Sequence, residues 1–370
     1  MEGIMIEEMV NQLKGIGLDI SDCVLDGSDG IVGWLCSYVP EEIIHAAGFQ
    51  PIRISGRGNP IRRADTLLHT NMCPFVRSVL DDAMEGEIQD LKGMVIANSC
   101  DAMRRMFDAW TVFRKDEPLF FLDPPKKTDE MAVSHYSDQL REFAHSLSEI
   151  GPRKITDSSL AESIEVFNKT RDLMVDVSRR VSNGSLSSYT GFIIMHMATK
   201  CDRRVFNGRL EQFLGEYAGD EEEKPGVRVL LTGCIIDQPD LMKVMEEVGA
   251  NVVVNELCTG LRQFDQNVNL GGDHFRALAE RYLTRAPCAR MMDSKLREAY
   301  LTNLAGENRI DGVIYYIIKF CDHYMWDFPT TKEAFEGMGI PVLDVEGEYI
   351  KGSHGPLKTR LQAFVESLQD

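Results

Sequence analysis

The sequence predicts an α/β protein of two lobes with parallel sheets, joined by a mostly helical middle segment. Apolar runs of strand length alternate with amphipathic helical runs over 1–150 and again over 221–370, while 151–220 reads as helical. A chain of 370 residues also exceeds one ordinary domain. Finally, the order strand, cysteine, proline, helix, glycine, strand occurs at Cys36 and again at Cys234, and strand, cysteine, aspartate, helix, strand at Cys100 and again at Cys321.

In the first lobe IVGWLCSY predicts a strand, PEEIIHAAG a helix stopped by glycine, and PIRIS the next strand. GMVIANSC follows as a strand, DAMRRMFDAWTVF as a helix and PLFFLD as a closing strand. From Asp129 to Tyr217 the pattern is helical, with Thr156 and Asp157 as N-cap candidates for LAESIEVFNKTRDLMVDVSRRV. GDEEEKPG at 219–226 reads as a linker. The second lobe offers GVRVLLTGC, NVVVNELC, DGVIYYIIKFCD and IPVLDVE as strands. PDLMKVMEEVGA, FRALAERYLTRAPC, TKEAFEGMG and PLKTRLQAFVESL read as its helices.

A net charge of −18 argues against nucleic acid as a partner, because binding phosphates needs a basic face. No apolar run approaches the roughly 20 residues of a membrane span. The acidic start MEGIMIEEMVNQLKGIG lacks the basic head and apolar centre of a signal peptide, so a cytoplasmic location is expected.

Nine cysteines stand at 23, 36, 73, 100, 201, 234, 258, 288 and 321, and no CxxC occurs. A disulfide framework does not suit a reducing cytoplasm, and the spacing excludes zinc ribbons, thioredoxin-like sites and bacterial ferredoxin motifs. Any metal must be gathered from distant loops. Cys36, Cys100, Cys234, Cys258 and Cys321 each end a predicted β run, the edge at which open parallel sheets bind ligands. Cys73 and Cys288 adjoin proline at loop–helix junctions. Helices are expected directly after Cys73, Cys100 and Cys288, and a few residues after Cys321. A helix start offers partial positive charge and free N–H groups, which favour a thiolate. One cysteine at a strand end is ordinarily a small buried hydrophobe, so it is the repetition that carries the argument.

The segments HTNMCPFVRS, ANSCDAMRRM, NELCTGLRQ, RYLTRAPCAR and DGVIYYIIKFCD, opened by GWLCSYVPEEIIHAAGFQPIRISG and closed by GIPVLDVEGEY and LKTRLQAFVE, resemble the signature blocks of the 2-hydroxyacyl-CoA dehydratase / benzoyl-CoA reductase family. The resemblance runs from about residue 30 to the end. It implies two Rossmann-like lobes with a [4Fe–4S] cluster between them, held by Cys73, Cys100 and Cys321. The LCTG and PCA blocks are similar to the double-cubane branch of the family, which implies a second linked cubane on Cys258 and Cys288, with Cys234 as third ligand. Cys36, Cys23 and Cys201 are then expected to be structural. The resemblance further implies a homodimer served by a separate homodimeric ATPase, itself carrying a [4Fe–4S] cluster, that delivers low-potential electrons. This chain has no GxxxxGK[ST], in keeping with that division of labour. The implied activity is reduction of a small molecule at the double cubane. The alternatives are one single-[4Fe–4S] subunit of a heterodimeric 2-hydroxyacyl-CoA dehydratase, or a non-catalytic electron-transfer protein.

Weaker signals remain. His69 and His323 flank ligand blocks and are proton-donor candidates, although a loop histidine without a role is the commoner case. Glu41 and Glu42 read as favourable charges opening a helix. Glu346 and Glu348 close a strand, and Arg262 and Arg360 either position a substrate or pair with acids.

Overall fold

A computed structural model describes residues 3–24, 30–219, 226–352 and 355–369. Residues 220–225 of the expected linker lie outside the described residues. Two four-stranded, all-parallel sheets form the frame. The first comprises β1 (Ile31–Leu35), β2 (Gln50–Arg53), β3 (Gly93–Ala97) and β4 (Leu119–Leu122), in the order β2-β1-β3-β4. The second comprises β5 (Val227–Gly233), β6 (Ala250–Glu256), β7 (Gly312–Ile318) and β8 (Val342–Gly347), in the order β6-β5-β7-β8. Both sheets therefore follow one winding order, which supports the repeat seen in the sequence. In each the winding reverses beside its first strand, and ligands bind at the carboxyl edge of such a switch point.

The inner strands β1, β3 and β7 are apolar and buried at every residue because both faces are covered. The first lobe carries α1 (Gly3–Gly15), α2 (Glu41–Ala46), α3 (Pro74–Met84) and α4 (Asp101–Phe113). Four helices occupy the middle: α5 (Glu130–Ile150), α6 (Asp157–Ser182), α7 (Ser188–Ala198) and α8 (Arg203–Glu216). Thr156 caps α6 in a reciprocal capping box with Ser159, so Asp157 is the first helical residue and not the cap. The second lobe carries α9 (Pro239–Glu247), α10 (Leu261–Phe264), α11 (His274–Thr284), α12 (Ser294–Asn308), α13 (Asp322–Gly337) and α14 (Gly355–Gln369). Among the described residues no helix is long and apolar enough to cross a membrane.

Two helix starts differ from expectation. The helix expected at TKEAFEGMG begins nine residues earlier, at Asp322, and runs through Pro329. Proline is disfavoured inside a helix, which is why the pattern reads as starting after it. Conversely, no helix starts directly after Cys288; the next one, α12, waits for its cap at Asp293.

The lobes meet through buried polar contacts. Arg53 at the end of β2 grips Asp237 after β5 through two hydrogen bonds of 2.7 and 3.1 Å. The Tyr349 hydroxyl donates its one proton to the Asp237 carboxylate and lies 3.0 Å from Gly56 O, an alternative acceptor. Arg285 donates to both oxygens of Ser37 at 2.8 and 2.9 Å. Gly233 is required here: its φ is +123°, and a Cβ would lie 2.0 Å from Tyr316 O on the neighbouring strand.

Candidate metal centre

Each expected first-cubane cysteine is the N-cap of a helix: Cys73 of α3, Cys100 of α4 and Cys321 of α13. Cys321 thus sits at a helix start as directly as the other two. The Cys100 sulfur accepts from Met103 N at 3.4 Å. Phe75 and Val76 N–H groups point at Cys73, and those of His323 and Tyr324 at Cys321. The cause is topological. Cys100 and Cys321 follow β3 and β7, the strands just past each switch point, and Pro74 suits the first helical position after Cys73.

All three cysteines line one cavity of about 690 Å³ at the junction of the lobes, together with Asn98, Arg290 and His323. Cys73 and Cys100 come from the first lobe and Cys321 from the second. Burial pushes the Cys73 thiol up to about 12, and a charge on Cys321 adds to this. Burial likewise pushes Cys100 well above the ordinary thiol range. Cys321 moves the other way, because the Cys234 thiol donates a hydrogen bond to it. Half-buried thiols at helix starts, two of which resist ionisation until a cation arrives, are suited to soft iron–sulfur ligation. Among the described residues no three His, Cys, Asp or Glu side chains converge on a point that would suit a single ion. A cubane makes no such demand, since each thiolate meets a different iron and the sulfurs stand apart. Three thiols at helix starts are donors of the type that iron–sulfur ligation uses.

A second group of sulfurs lies next to the first. Arg262 Nη1 donates to Cys258 Sγ at 3.5 Å and also to the Tyr324 hydroxyl, which lies 3.5 Å from Cys288 Sγ. Burial pushes the Cys258 thiol up to about 11; Arg262 opposes this, and charge on Cys288 or Cys36 adds to it. Charge on Cys36 also weighs on Cys100, so Cys36 acts electrostatically on members of both groups. Its φ of +77° is unusual for a residue with a side chain and marks a constrained turn at the end of β1. Cys234, expected beside Cys258 and Cys288, is 3% exposed and rests against Cys321, because β5 pairs directly with β7. Cys23 and Cys201 sit apart from the cavity in the apolar core, 1% and 2% exposed, beside the isolated antiparallel bridge of Val24 with Cys201.

The weaker candidates separate as well. His323 lines the cavity and hydrogen-bonds Ser99 O at 3.2 Å; burial, and then Lys126, hold its pKa below the usual range. His69 lines a different depression and accepts from Asn71 N. Glu41 and Glu42 do open α2, but both are buried and paired with Arg203 and Arg171. Arg262 pairs with Glu256 at 2.6 Å and is fully buried, while Arg360 pairs with Asp344 on the surface. Glu348 pairs with Lys319 and lines, with Glu346, a separate depression of about 260 Å³. Arg290 and Tyr324 were not singled out from the sequence. The first donates to Ser99 O, Pro124 O and Pro125 O, tying the loop after Cys288 to the first lobe. Their only local signal is spacing, two and three residues after Cys288 and Cys321.

Together the fold and site define a two-lobed α/β protein with thiols from both lobes lining a cavity where the lobes meet. The chain belongs to the 2-hydroxyglutaryl-CoA dehydratase D-component family, whose model matches residues 36–368. It is 29% identical to the (R)-phenyllactyl-CoA dehydratase beta subunit of Clostridium sporogenes over 91% of each chain. It is 25% identical to the beta subunit of lactoyl-CoA dehydratase from Anaerotignum propionicum over 98% of this chain and 99% of that one. A benzoyl-CoA reductase subunit of Thauera aromatica is also 25% identical, over 93% of this chain and 92% of its own. These relatives are subunits of dehydratases and of a reductase, which supports an enzymatic role.

Proposed function

We propose that this chain is the reductase component of a two-protein system: it takes low-potential electrons from a homodimeric, cluster-bearing ATPase and reduces a small molecule at a double-cubane iron–sulfur centre. The carrying observation is the presence of two neighbouring sulfur groups and not one. Cys73, Cys100 and Cys321 would hold one cubane; Cys258 and Cys288 would hold the second, with Cys36, whose charge bears on Cys258 and on Cys100, proposed as third ligand in place of Cys234, which is buried against Cys321. The centre supplies single electrons of low potential and, with three thiolates per cubane, an iron not claimed by the protein. The chain's own contribution is to hold the sulfurs in place, Cys73, Cys100 and Cys321 at helix starts and Cys258 and Cys288 in loops, around a half-buried cavity. His323 stands at the cavity wall and is the proton-transfer candidate nearest a substrate there.

A second reading has specific support. The relatives named as beta subunits of 2-hydroxyacyl-CoA dehydratases favour a single-[4Fe–4S] subunit that pairs with a sister chain. Iron analysis of anaerobically purified protein decides between them: about eight irons per chain supports the double cubane, and about four the dehydratase subunit. Turnover of small molecules against 2-hydroxyacyl-CoA esters, with an active ATPase partner, tests the reaction. Protein without iron, or inert toward both substrate classes, would sink both readings.

A further inference from the structure

Tyr324 has no part in the family blocks, yet it touches both sulfur groups. Its backbone N–H points at Cys321 from the first turn of α13. Its hydroxyl lies 3.5 Å from Cys288 Sγ. The same hydroxyl accepts from Arg262 Nη1, which also donates to Cys258 Sγ at 3.5 Å. With a lone pair committed to Arg262, the hydroxyl has its own proton free for Cys288, whose ligating thiolate can only accept. Arg262 is itself fixed. Glu256 accepts from its Nε and Nη2 at 2.7 and 2.6 Å, and Arg262 and Glu256 are both fully buried. The Tyr324 ring lies between two guanidinium groups, those of Arg262 and Arg297, each 5.5 Å from its centroid. Tyr324 itself is 4% exposed.

We infer that Tyr324, held by Arg262 and Glu256, is a positioning residue that donates its hydroxyl proton to the Cys288 sulfur and thereby sets the potential of the second cubane apart from that of the first. A hydrogen bond from a fixed donor offsets the charge that a cluster gains on reduction, and so raises its potential. In a buried site there is no water to replace that donor. The first cubane receives backbone N–H groups and, at Cys321, the neutral thiol of Cys234, but no hydroxyl held by a guanidinium, so Tyr324 makes the two environments unequal. The cubane carrying Cys288 is then the easier to reduce and the one on which an arriving electron rests. This inference stands on the two-cubane reading.

The test is Tyr324→Phe in the full-length, cluster-loaded protein. The substitution keeps the ring between its guanidinium neighbours and leaves Arg262 Nη1 the Gly233 carbonyl at 3.3 Å as acceptor. Iron is counted in wild type and variant, and each cluster is titrated potentiometrically with detection by paramagnetic resonance. The expected result is unchanged iron, one cluster midpoint moved to more negative potential and the other unmoved. Unmoved midpoints at full iron overturn the inference while leaving the two-cubane reading intact. A Tyr324→Phe protein that retains only half the iron also overturns it, by making Tyr324 part of the scaffold and not a tuning donor. Wild-type iron near four per chain overturns the reading and the inference together. In wild type, the Fe–S(Cys) stretching bands should shift in D2O, and Tyr324→Phe should lose part of that shift; equal shifts in both proteins count against the hydroxyl donor.

Discussion

Replacing Arg53 with methionine tests how the two lobes are held in register. The Arg53 and Asp237 side chains are 4% and 0% exposed and joined by two hydrogen bonds, so neither charge has water to fall back on. Burial works against the Asp237 carboxylate, but the guanidinium beside it holds its pKa below the ordinary range. Removing one member of such a pair costs about 3–5 kcal/mol, chiefly through the buried charge left behind. Asp237 would keep the Tyr349 hydroxyl as a donor and His196 at 3.9 Å, so the lower end of that range is expected for Arg53→Met, about 3 kcal/mol. Against a total stability of about 5–15 kcal/mol, this is a large fraction. In the double variant Arg53→Met/Asp237→Leu no charge is stranded, and Tyr349 can donate to Gly56 O instead. The double variant should therefore be more stable than the sum of the single losses predicts, by about 2 kcal/mol or more.

The assay is equilibrium urea denaturation of protein matched in metal content, followed by tryptophan fluorescence and circular dichroism together. Coincident transitions license a single free energy; their separation in Arg53→Met would itself report uncoupled lobes. A single-variant loss below about 1 kcal/mol, or additive losses in the double variant, would show that the pair is not an energetically connected clamp.

Alanine substitutions along the cysteine series should sort by iron retained. Cys100→Ala is expected to lose most of the iron and the activity, Cys36→Ala about half of the iron, and Cys234→Ala and Cys201→Ala little. Equal iron in Cys100→Ala and Cys201→Ala would count heavily against the ligand assignment. A separate prediction concerns acid. His45 is 6% exposed, and burial, followed by the charge on Arg204, pulls its pKa down to about 4. An unfolded chain's imidazole titrates near 6.5, so below that pH the unfolded state binds the proton first. Stability should be unaffected by this group above about pH 6.5 and fall as the pH drops toward about 4, by about 3 kcal/mol in all. Ser163 donates its proton to Glu42 O and so accepts from His45 Nδ1 at 2.9 Å, an arrangement that His45→Gln can reproduce without titrating. His45→Gln should therefore flatten the stability profile between pH 6.5 and 4; parallel profiles for the two proteins would refute the assignment.

What the sequence makes legible is local. The strand ends before Cys36, Cys100, Cys234, Cys258 and Cys321 follow from apolar runs closed by polar turns, and α4 follows from the amphipathic run after Cys100. The start of α13 is hidden because Pro329 argues against a helix that the surrounding structure nonetheless maintains. The turn after Cys288 is hidden because Pro287 and Asp293 are equally good helix openers; in the fold Arg290 of that loop donates to Ser99 O and Arg297 of α12 donates to Pro287 O, long-range contacts with no local sequence signal. The place of Cys36 is hidden for another reason. Nothing in IVGWLCSY announces a positive φ, which arises where β1 turns into the junction between the lobes. Arg262 reads equally well as a substrate binder or an ion-pair partner until Glu256, six residues away, is seen to share its burial.

The distribution of the sulfurs between the lobes explains why so much polar surface is buried there. The first group draws Cys73 and Cys100 from one lobe and Cys321 from the other; the second, with Cys36 as its proposed third ligand, would likewise draw on both. On that assignment neither lobe can assemble either group alone, and docking must precede or accompany ligation. Apolar contacts alone would hold the lobes together but tolerate small slips. Directional contacts such as Arg53 with Asp237, Arg285 with Ser37, and Arg290 with the carbonyls after β4 do not tolerate them. By linkage, a centre that binds only the docked state stabilises that docking in return. The buried charges and the thiols are then two halves of one equilibrium: the ion pairs select the arrangement in which the sulfurs face one another, and whatever the sulfurs bind makes that arrangement hard to leave.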